Sequence, residues 1–126
     1  MDARLASFPG DVTDRFGFLV DEFGFAGLDV GEKGYVGFFS APWTIWVVLE
    51  ERNKTVDTFL KYDDGEQVLR APMRRAMAKA RVGNVGRVRD TAQTRVGMQK
   101  SLGTQAAALR LLVPALRARG RELIET

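Results

Sequence analysis

Apolar residues near the start of the chain recur with the period of an α-helix. Phe16, Leu19 and Phe23 are separated by three and four residues, which places their side chains on one face of a helix. Gly24 follows the last of these positions, and glycine is the residue that most often ends a helix in the left-handed conformation. The pattern predicts a helix over residues 11–25.

The middle of the chain alternates as β-strands do. In residues 43–52, successive side chains point to opposite sides, and both sides are apolar at the centre, as in a central strand. A polar turn leads into a returning strand over residues 55–62, and a short aromatic strand over residues 35–40 precedes both. These segments predict an antiparallel meander of three strands within residues 34–62, to which residues 27–32 add an optional fourth.

Helical spacing returns in the second half of the chain, together with many basic residues. Residues 70–100 carry an apolar stripe of Met and Ala among Arg and Lys, with a glycine-containing break at residues 83–86. After a short linker at residues 101–103, residues 104–125 show a strongly helical pattern. Pro114 interrupts that pattern and predicts a kink, because its ring clashes with the carbonyl group four residues earlier.

Together these elements predict one α+β domain over residues 1–126. A chain of 126 residues, 45% of them hydrophobic, is long enough to bury a core of its own. We expect an N-terminal helix, an antiparallel meander of three to four strands, and a helical C-terminal half packed on one face of the sheet.

The chain contains neither Cys nor His, and this limits the catalytic and metal-binding chemistry that it can perform. Disulfides, thiolate nucleophiles, cysteine-based zinc sites and the commonest general base are therefore excluded. Asp63, Asp64 and Glu66 form an acidic turn, but they lack the ligand spacing of a calcium loop. The sequence predicts a protein that is not an enzyme and that holds no cofactor and no metal ion.

Nothing in the sequence indicates secretion or a membrane span. The first 30 residues carry acidic side chains and lack a basic start followed by an apolar run. The longest apolar stretches, such as residues 45–49, are far shorter than a transmembrane helix. We therefore expect a cytoplasmic protein that makes no contact with a membrane.

Charge is divided unevenly along the chain, although the formal net charge is only +3. Residues 1–69 contain 13 acidic and 6 basic residues, residues 70–100 contain one acidic and 9 basic residues, and residues 101–126 add a net charge of +2. Such a division indicates either two halves that attract each other or two surfaces that meet oppositely charged partners.

The basic segment at residues 70–100 is the feature of the sequence that indicates nucleic-acid binding, because clustered cations neutralise phosphates without regard to base sequence. The candidate residues are Arg74, Arg75, Lys79, Arg81, Arg87 and Arg89. No aromatic residue lies within residues 70–100, so this segment offers no ring on which a base could stack. The glycines at residues 83 and 86 resemble the phosphate-clamping loop of a KH domain, but a turn between two helices is the favoured interpretation.

Aromatic side chains concentrate on the strands and point to both sides of them. One side is expected to form the core, and the other, if left open, would suit a protein partner, since Trp and Tyr are enriched at binding hot spots. The candidate protein-binding residues combine two rings with nearby carboxylates: Asp21, Glu22, Trp43, Trp46, Glu50 and Glu51.

Residues 18–25 resemble the Phe-x-x-Leu-x-x-x-Phe-Gly-Phe opening helix of small actinobacterial α+β proteins of unknown function. The aromatic strand at residues 35–40, the Val-rich strand at residues 46–52 and the Leu- and Arg-rich helix at residues 106–112 extend the resemblance over most of the chain. Residues 70–100 depart from it, being longer and more basic. Some of these proteins are suspected immunity proteins against polymorphic toxins, and the resemblance carries no catalytic residues.

The predicted function is therefore protein binding without catalysis, as an immunity-like antitoxin that occludes a toxin. Its acidic half would meet a cationic toxin surface, with charge setting the association rate and the Trp side chains the lifetime. Two alternatives remain open: a nucleic-acid-associated protein that uses residues 70–100, and a homo-oligomeric structural or regulatory protein whose second sheet face is the interface.

Overall fold

Five antiparallel strands form one sheet, in the order in which they occur along the chain. The structure is a computed structural model, and it describes residues 2–125. The strands are β1 (Ala26–Val30), β2 (Tyr35–Ser40), β3 (Trp43–Glu50), β4 (Thr55–Asp63) and β5 (Val68–Pro72). The predicted antiparallel meander is confirmed. It is extended by β5, whose residues 70–72 fall within the segment predicted to be helical.

The helices lie on one face of this sheet, as predicted. They are α1 (Ala3–Phe16), α2 (Phe18–Asp21), α3 (Met73–Ala80) and α4 (Arg95–Arg119), with 3₁₀ turns at Val85–Arg87 and Gly120–Leu123. Their buried apolar side chains join those of the strands in one hydrophobic core. The fold is thus α+β, with an N-terminal helix, an antiparallel sheet and a C-terminal helix packed on it.

Strict alternation along β3 and β4 creates the two faces of the sheet. In β3, Ile45 and Val47 are buried completely, whereas Trp46 and Val48, which alternate with them, remain partly exposed. The same alternation continues in β4, which is paired with β3 over all eight residues of β3. Since side chains two residues apart share a face, one face lies against the helices and the other lies away from them.

The N-terminal helix begins much earlier than the predicted residue 11. The carboxylate of Asp2 caps α1 by accepting a hydrogen bond from the backbone N–H of Arg4 at 2.9 Å. Pro9 lies inside the helix and does not end it. Gly17 lies between α1 and α2. A Cβ atom at this position would lie 2.9 Å from the carbonyl oxygen of Thr13, so the position favours glycine. Gly24 adopts the predicted left-handed conformation, with φ of +70°, but α2 already ends at Asp21, before the predicted residue 25.

The predicted boundaries in the second half are also wrong in part. The expected helical segment over residues 70–100 contains only α3, a 3₁₀ turn and the start of α4, while residues 88–94 are extended or irregular. Helix α4 runs without interruption through the expected linker at residues 101–103 and through Pro114. Within this helix Ser101 is fully buried, and its hydroxyl donates a hydrogen bond to the carbonyl of Thr91 at 2.6 Å. Pro114 is exposed and costs the helix one backbone donor.

Gln105 is a buried polar contact that joins α4 to the sheet. Its side-chain amide donates to the carbonyl oxygens of Val56 at 2.8 Å and Arg89 at 2.7 Å, and its carbonyl accepts from the hydroxyl of Thr58 at 2.8 Å. The backbone N–H of Val56 donates in turn to the carbonyl of Asp90. These bonds fix the irregular segment beside the part of β4 that β5 does not reach.

Replacing Gln105 with Leu is expected to lower the free energy of unfolding by about 2–4 kcal/mol, because two buried carbonyls and a hydroxyl lose their partner. Chemical denaturation monitored by circular dichroism measures the loss. Gln67→Leu is the matched control, since Gln67 is exposed and should change stability by less than about 0.5 kcal/mol. Equal effects from both substitutions would contradict the structural role of Gln105.

A buried carboxylate, Asp11, joins α1 to the start of α4. Its oxygens accept hydrogen bonds from Arg95 at 3.2 Å, Gln99 at 3.0 Å and the hydroxyl of Ser7 at 2.7 Å. Burial acts to raise the pKa of Asp11, but the hydrogen bonds from Arg95, Gln99 and Ser7 outweigh it and hold this pKa below its usual value.

A lowered pKa means that ionised Asp11 stabilises the folded state above the pKa of the unfolded chain, and that this stability is lost as pH falls through the folded-state pKa. The stability difference between the unmodified chain and Asp11→Asn should therefore be largest near neutral pH and shrink below about pH 4. Denaturation curves at several pH values test this. A difference that does not vary with pH would show that the charge of Asp11 contributes nothing.

Candidate protein-binding surface

The sheet face that points away from the helices carries no helix of the described chain, and we call it the open face. It is formed by alternate residues of adjacent strands, and cross-strand pairing sets their positions. The open face consists of Asp29 on β1; Tyr35, Gly37 and Phe39 on β2; Thr44, Trp46, Val48 and Glu50 on β3; Thr55, Asp57, Phe59, Lys61 and Asp63 on β4; and Val68, Arg70 and Pro72 on β5.

Three aromatic rings on neighbouring strands form a row across the centre of the open face. The ring centroids of Tyr35 and Trp46 are 6.3 Å apart, and those of Trp46 and Phe59 are 5.8 Å apart, each pair being stacked. Gly37 lies directly across from Trp46 and carries no side chain, so the Tyr35 ring approaches Trp46 over it. Phe39, which is 46% exposed, continues the apolar surface along β2.

Charges lie on opposite sides of this row. Lys61 and Arg70 are direct cross-strand partners at the β4–β5 side, and among residues 2–125 neither forms an ion pair. Two like charges in this position repel each other. Asp29 lies at the opposite edge, beside Gly37. Burial and the charge of Asp29 raise the pKa of Tyr35, against the opposing effect of Arg70.

A further carboxylate, Asp57, is already paired within the chain. Arg74 donates to it at 3.2 Å and lies 3.6 Å from Asp90, so one guanidinium bridges two carboxylates. Burial raises the pKa of Asp57, and the charge of Asp90 adds to this, while Arg74 opposes both. The ion pair links Asp57 on β4 to Arg74 on α3 at the edge of the open face.

Of the two predicted Trp anchors, the structure places only Trp46 on the open face. Trp43 is 4% exposed and packs in the core, with its ring edge-to-face against Tyr62 at 5.2 Å. The reason is the period of the strand, since residues an odd number apart point to opposite faces. Trp43 is therefore corrected from a candidate binding residue to a core residue.

The four predicted acidic residues do not form one surface. Arg117 donates to the carbonyl of Phe23 and to the hydroxyl of Ser40, which puts the end of α2, and so Asp21 and Glu22, beside the start of β3. Glu50 and Glu51 lie at the other end of that strand. A strand of this length spans about 24 Å. Glu22 is in addition paired with Arg110 at 2.9 Å.

Half of the predicted basic residues bind other groups of the same chain. Arg74 pairs with carboxylates, Arg75 donates to the carbonyl of Ile124 at 3.2 Å, and Lys79 donates to the carbonyl of Glu122 at 3.1 Å and to that of Glu125. These bonds hold the C-terminal 3₁₀ turn against α3. The other three predicted residues are exposed: Arg81, Arg87 and Arg89.

Several residues of the open face were missed as site residues. They are Tyr35, Phe39, Phe59, Lys61 and Arg70. The polar turn after β3 contained a usable signal, because a hairpin centred there pairs Trp46 with Phe59. Arg70 could not have been found, since the sequence pattern assigned it to a helix.

The described residues 2–125 contain neither a cluster of metal ligands nor a helix that could span a membrane. No group of three or more carboxylates in that part of the chain converges as a metal ion would require. Among the described helices, none combines the length and the apolar character needed to cross a bilayer.

The opposite placement of the two Trp residues can be measured. A Trp46→Phe variant retains only Trp43, and a Trp43→Phe variant retains only Trp46. In dilute solution we expect acrylamide to quench Trp46 more strongly than Trp43, because only Trp46 lies on the open face. Equal quenching in the two folded variants would mean that the open face is covered.

Comparison with known proteins adds no relative. No protein-family model matches the chain, and searches of curated proteins and of solved structures find no match either. The open face combines an aromatic centre with charged residues at its edges.

Proposed function

We propose that this chain is a non-enzymatic protein-binding module and that the open face is its binding surface. The observation that carries the proposal is the row of Tyr35, Trp46 and Phe59, which no helix covers. Aromatic side chains at the centre of a surface supply most of the binding energy in protein complexes, because they bury a large area at low entropic cost. A rigid antiparallel sheet holds the three rings in place without a partner.

A protein fits this surface better than a nucleic acid does. The carboxylates of Asp29 and Asp63 share the face with the cations, and they would repel a chain of phosphates. Of the basic residues first considered for phosphate binding, Arg74, Arg75 and Lys79 bind groups of the protein itself. A surface with both signs of charge around an apolar centre is typical of protein interfaces.

Binding through a flat face suggests how such a module would act. The open face holds only a shallow depression of about 270 Å³, lined by Phe39, Thr44 and Lys61 among others. Its expected effect on a partner is therefore to cover it. Charged groups at the edges steer the encounter, and the aromatic row sets the lifetime of the complex. If the partner is a toxin, as the sequence resemblance implies, this is inhibition by occlusion.

Site-specific photo-crosslinking in the organism that makes the chain tests the proposal. A benzophenone amino acid in place of Phe39, on the open face, should form a covalent adduct with a single protein species. The same amino acid in place of Val96, which is 60% exposed on α4, is the matched control and should not. Adducts at both positions, or at neither, would contradict the proposal.

The identity of the adduct tests the antitoxin interpretation. A toxin should stop growth when it is produced without this chain, and coproduction of the chain should restore growth. Trp46→Glu should fail to restore it, while Val96→Glu should succeed, because only the former places a charge in the apolar centre. An adduct partner with no effect on growth would set the antitoxin interpretation aside.

A further inference from the structure

We infer that a groove between α4 and the loop after α3 binds an acidic peptide segment of another protein, which seats one apolar side chain in it. We call this feature the α4 groove. It has a volume of about 380 Å³ and is lined by Asn84, Arg87, Val88, Ala107, Ala108 and Leu111 among others. It lies on the helix side of the sheet, so the inference goes beyond the open face and the function proposed for that face.

The walls of the α4 groove are largely apolar and open to solvent. Ala107 and Leu111 lie one turn apart on α4 and are both exposed, Leu111 to 57%. Val88 lines the groove from the loop. A space of this size holds about a dozen water molecules, and apolar walls give them few hydrogen bonds. An apolar side chain that displaces such waters gains affinity.

The surface around these apolar walls is positively charged. From β5 to the end of α4, the only acidic residue is Asp90, which lies 3.6 Å from Arg74. Arg87 lines the groove, and Arg81 and Arg89 lie close to its loop residues in sequence. All three are exposed, and none forms an ion pair among residues 2–125. Charge complementarity therefore favours an acidic partner.

The polar side chains of the α4 groove offer mainly hydrogen-bond donors. The hydroxyl of Thr104 donates to a carbonyl of its own helix at 2.8 Å and accepts from the backbone N–H of Arg89 at 2.9 Å. The side-chain oxygen of Asn84 accepts from the backbone N–H of Gly86 at 2.9 Å, and its NH₂ group has no partner among residues 2–125. The guanidinium of Arg87 carries only donors. Carboxylate and carbonyl oxygens of a peptide match these groups.

A nucleic acid or a membrane fits the α4 groove less well. A loop that clamps phosphate needs free amide N–H groups, but those of residues 86–88 all donate within the chain, to Asn84 and Val85. None of the described residues that line the groove is aromatic, so a base finds no ring on which to stack. A bilayer takes up apolar residues on a protruding helix face, whereas these line a concave surface.

Selection from a library of random peptides displayed on phage tests the inference. The unmodified chain should select peptides in which Asp or Glu residues flank an apolar residue, and Leu111→Glu should not retain them. Val96→Glu is the matched control and should retain them, because Val96 is 60% exposed on the same helix but lies about two turns before Thr104, outside the groove. No enrichment, enrichment of basic or uncharged peptides, or equal retention by both variants overturns the inference.

Fluorescence anisotropy with one selected peptide, labelled with fluorescein, measures the part played by charge. Arg87→Glu should weaken binding about 3- to 10-fold, because it removes an exposed attraction and adds a repulsion. Lys33→Glu makes the same change of charge between β1 and β2, at the sheet edge opposite to α3, and should have less than about a 2-fold effect. This comparison does not depend on how well Leu111→Glu folds. Equal effects of the two substitutions overturn the inference.

The same assay separates this inference from the proposed function. Phe39→Glu on the open face should leave binding of the selected peptide unchanged. Loss of binding in this variant would place the peptide on the open face, which overturns the inference and leaves the proposed function standing.

Competition with other anions separates the peptide from the remaining partners. A single-stranded oligouridylate and phosphatidylserine vesicles should each fail to bind at the α4 groove. Displacement of the labelled peptide by either one, together with direct binding of that competitor that Arg87→Glu abolishes, assigns the groove to a nucleic acid or to a membrane and overturns the inference.

Discussion

Helix α4 packs against one face of the sheet, and the rest of the architecture depends on this one-sided contact. The contact is fixed by Gln105, whose buried amide binds the sheet through Val56 and the irregular segment through Arg89. Asp11 adds a second polar link, between α1 and the start of α4. With the helices on one side, alternation along β3 decides which side chains enter the core. The opposite face then keeps its rings, because no element of the described chain remains to cover it.

The division of charge that marks the sequence is partly neutralised inside the fold. Three ion pairs join the acidic N-terminal part to the basic C-terminal part: Asp57 with Arg74, Asp11 with Arg95, and Glu22 with Arg110. Only Asp11 is buried, and exposed pairs of this kind contribute little stability. Their more important effect is on the surface, because they remove Arg74 from the basic group and Asp57 and Glu22 from the acidic group. The charges without such partners on the open face are few, and their placement matters more than their number.

Local pattern was sufficient to predict β2, β3 and β4, an optional strand at β1, and the fold class, because alternation and turn residues are short-range signals. It missed β5. It misplaced the helix starts. Near the N-terminus, Asp2 favours a helix start as a capping residue, whereas Pro9 disfavours the interior of a helix, and only packing decides between these two local signals. It also placed a linker at residues 101–103, inside α4, where Ser101 is buried and donates a hydrogen bond to Thr91. At the candidate site, strand alternation alone predicts that Trp43 and Trp46 lie on opposite faces of the sheet. Which of them lies inside depends on where the helices pack, and that is determined by contacts between residues far apart in sequence, such as Gln105 with Val56.

The irregular segment beside β4 has a consequence for how the sheet ends. Residues 90–92 satisfy backbone groups of Lys54 and Val56, and β5 covers the remainder of β4. β5 is itself only five residues long and ends in Pro72, which has no amide hydrogen to offer. A foreign strand approaching from this side therefore finds few free donors. The protein can expose a row of aromatic rings at the centre of its sheet while that flank is protected against the strand-by-strand growth that leads to fibrils.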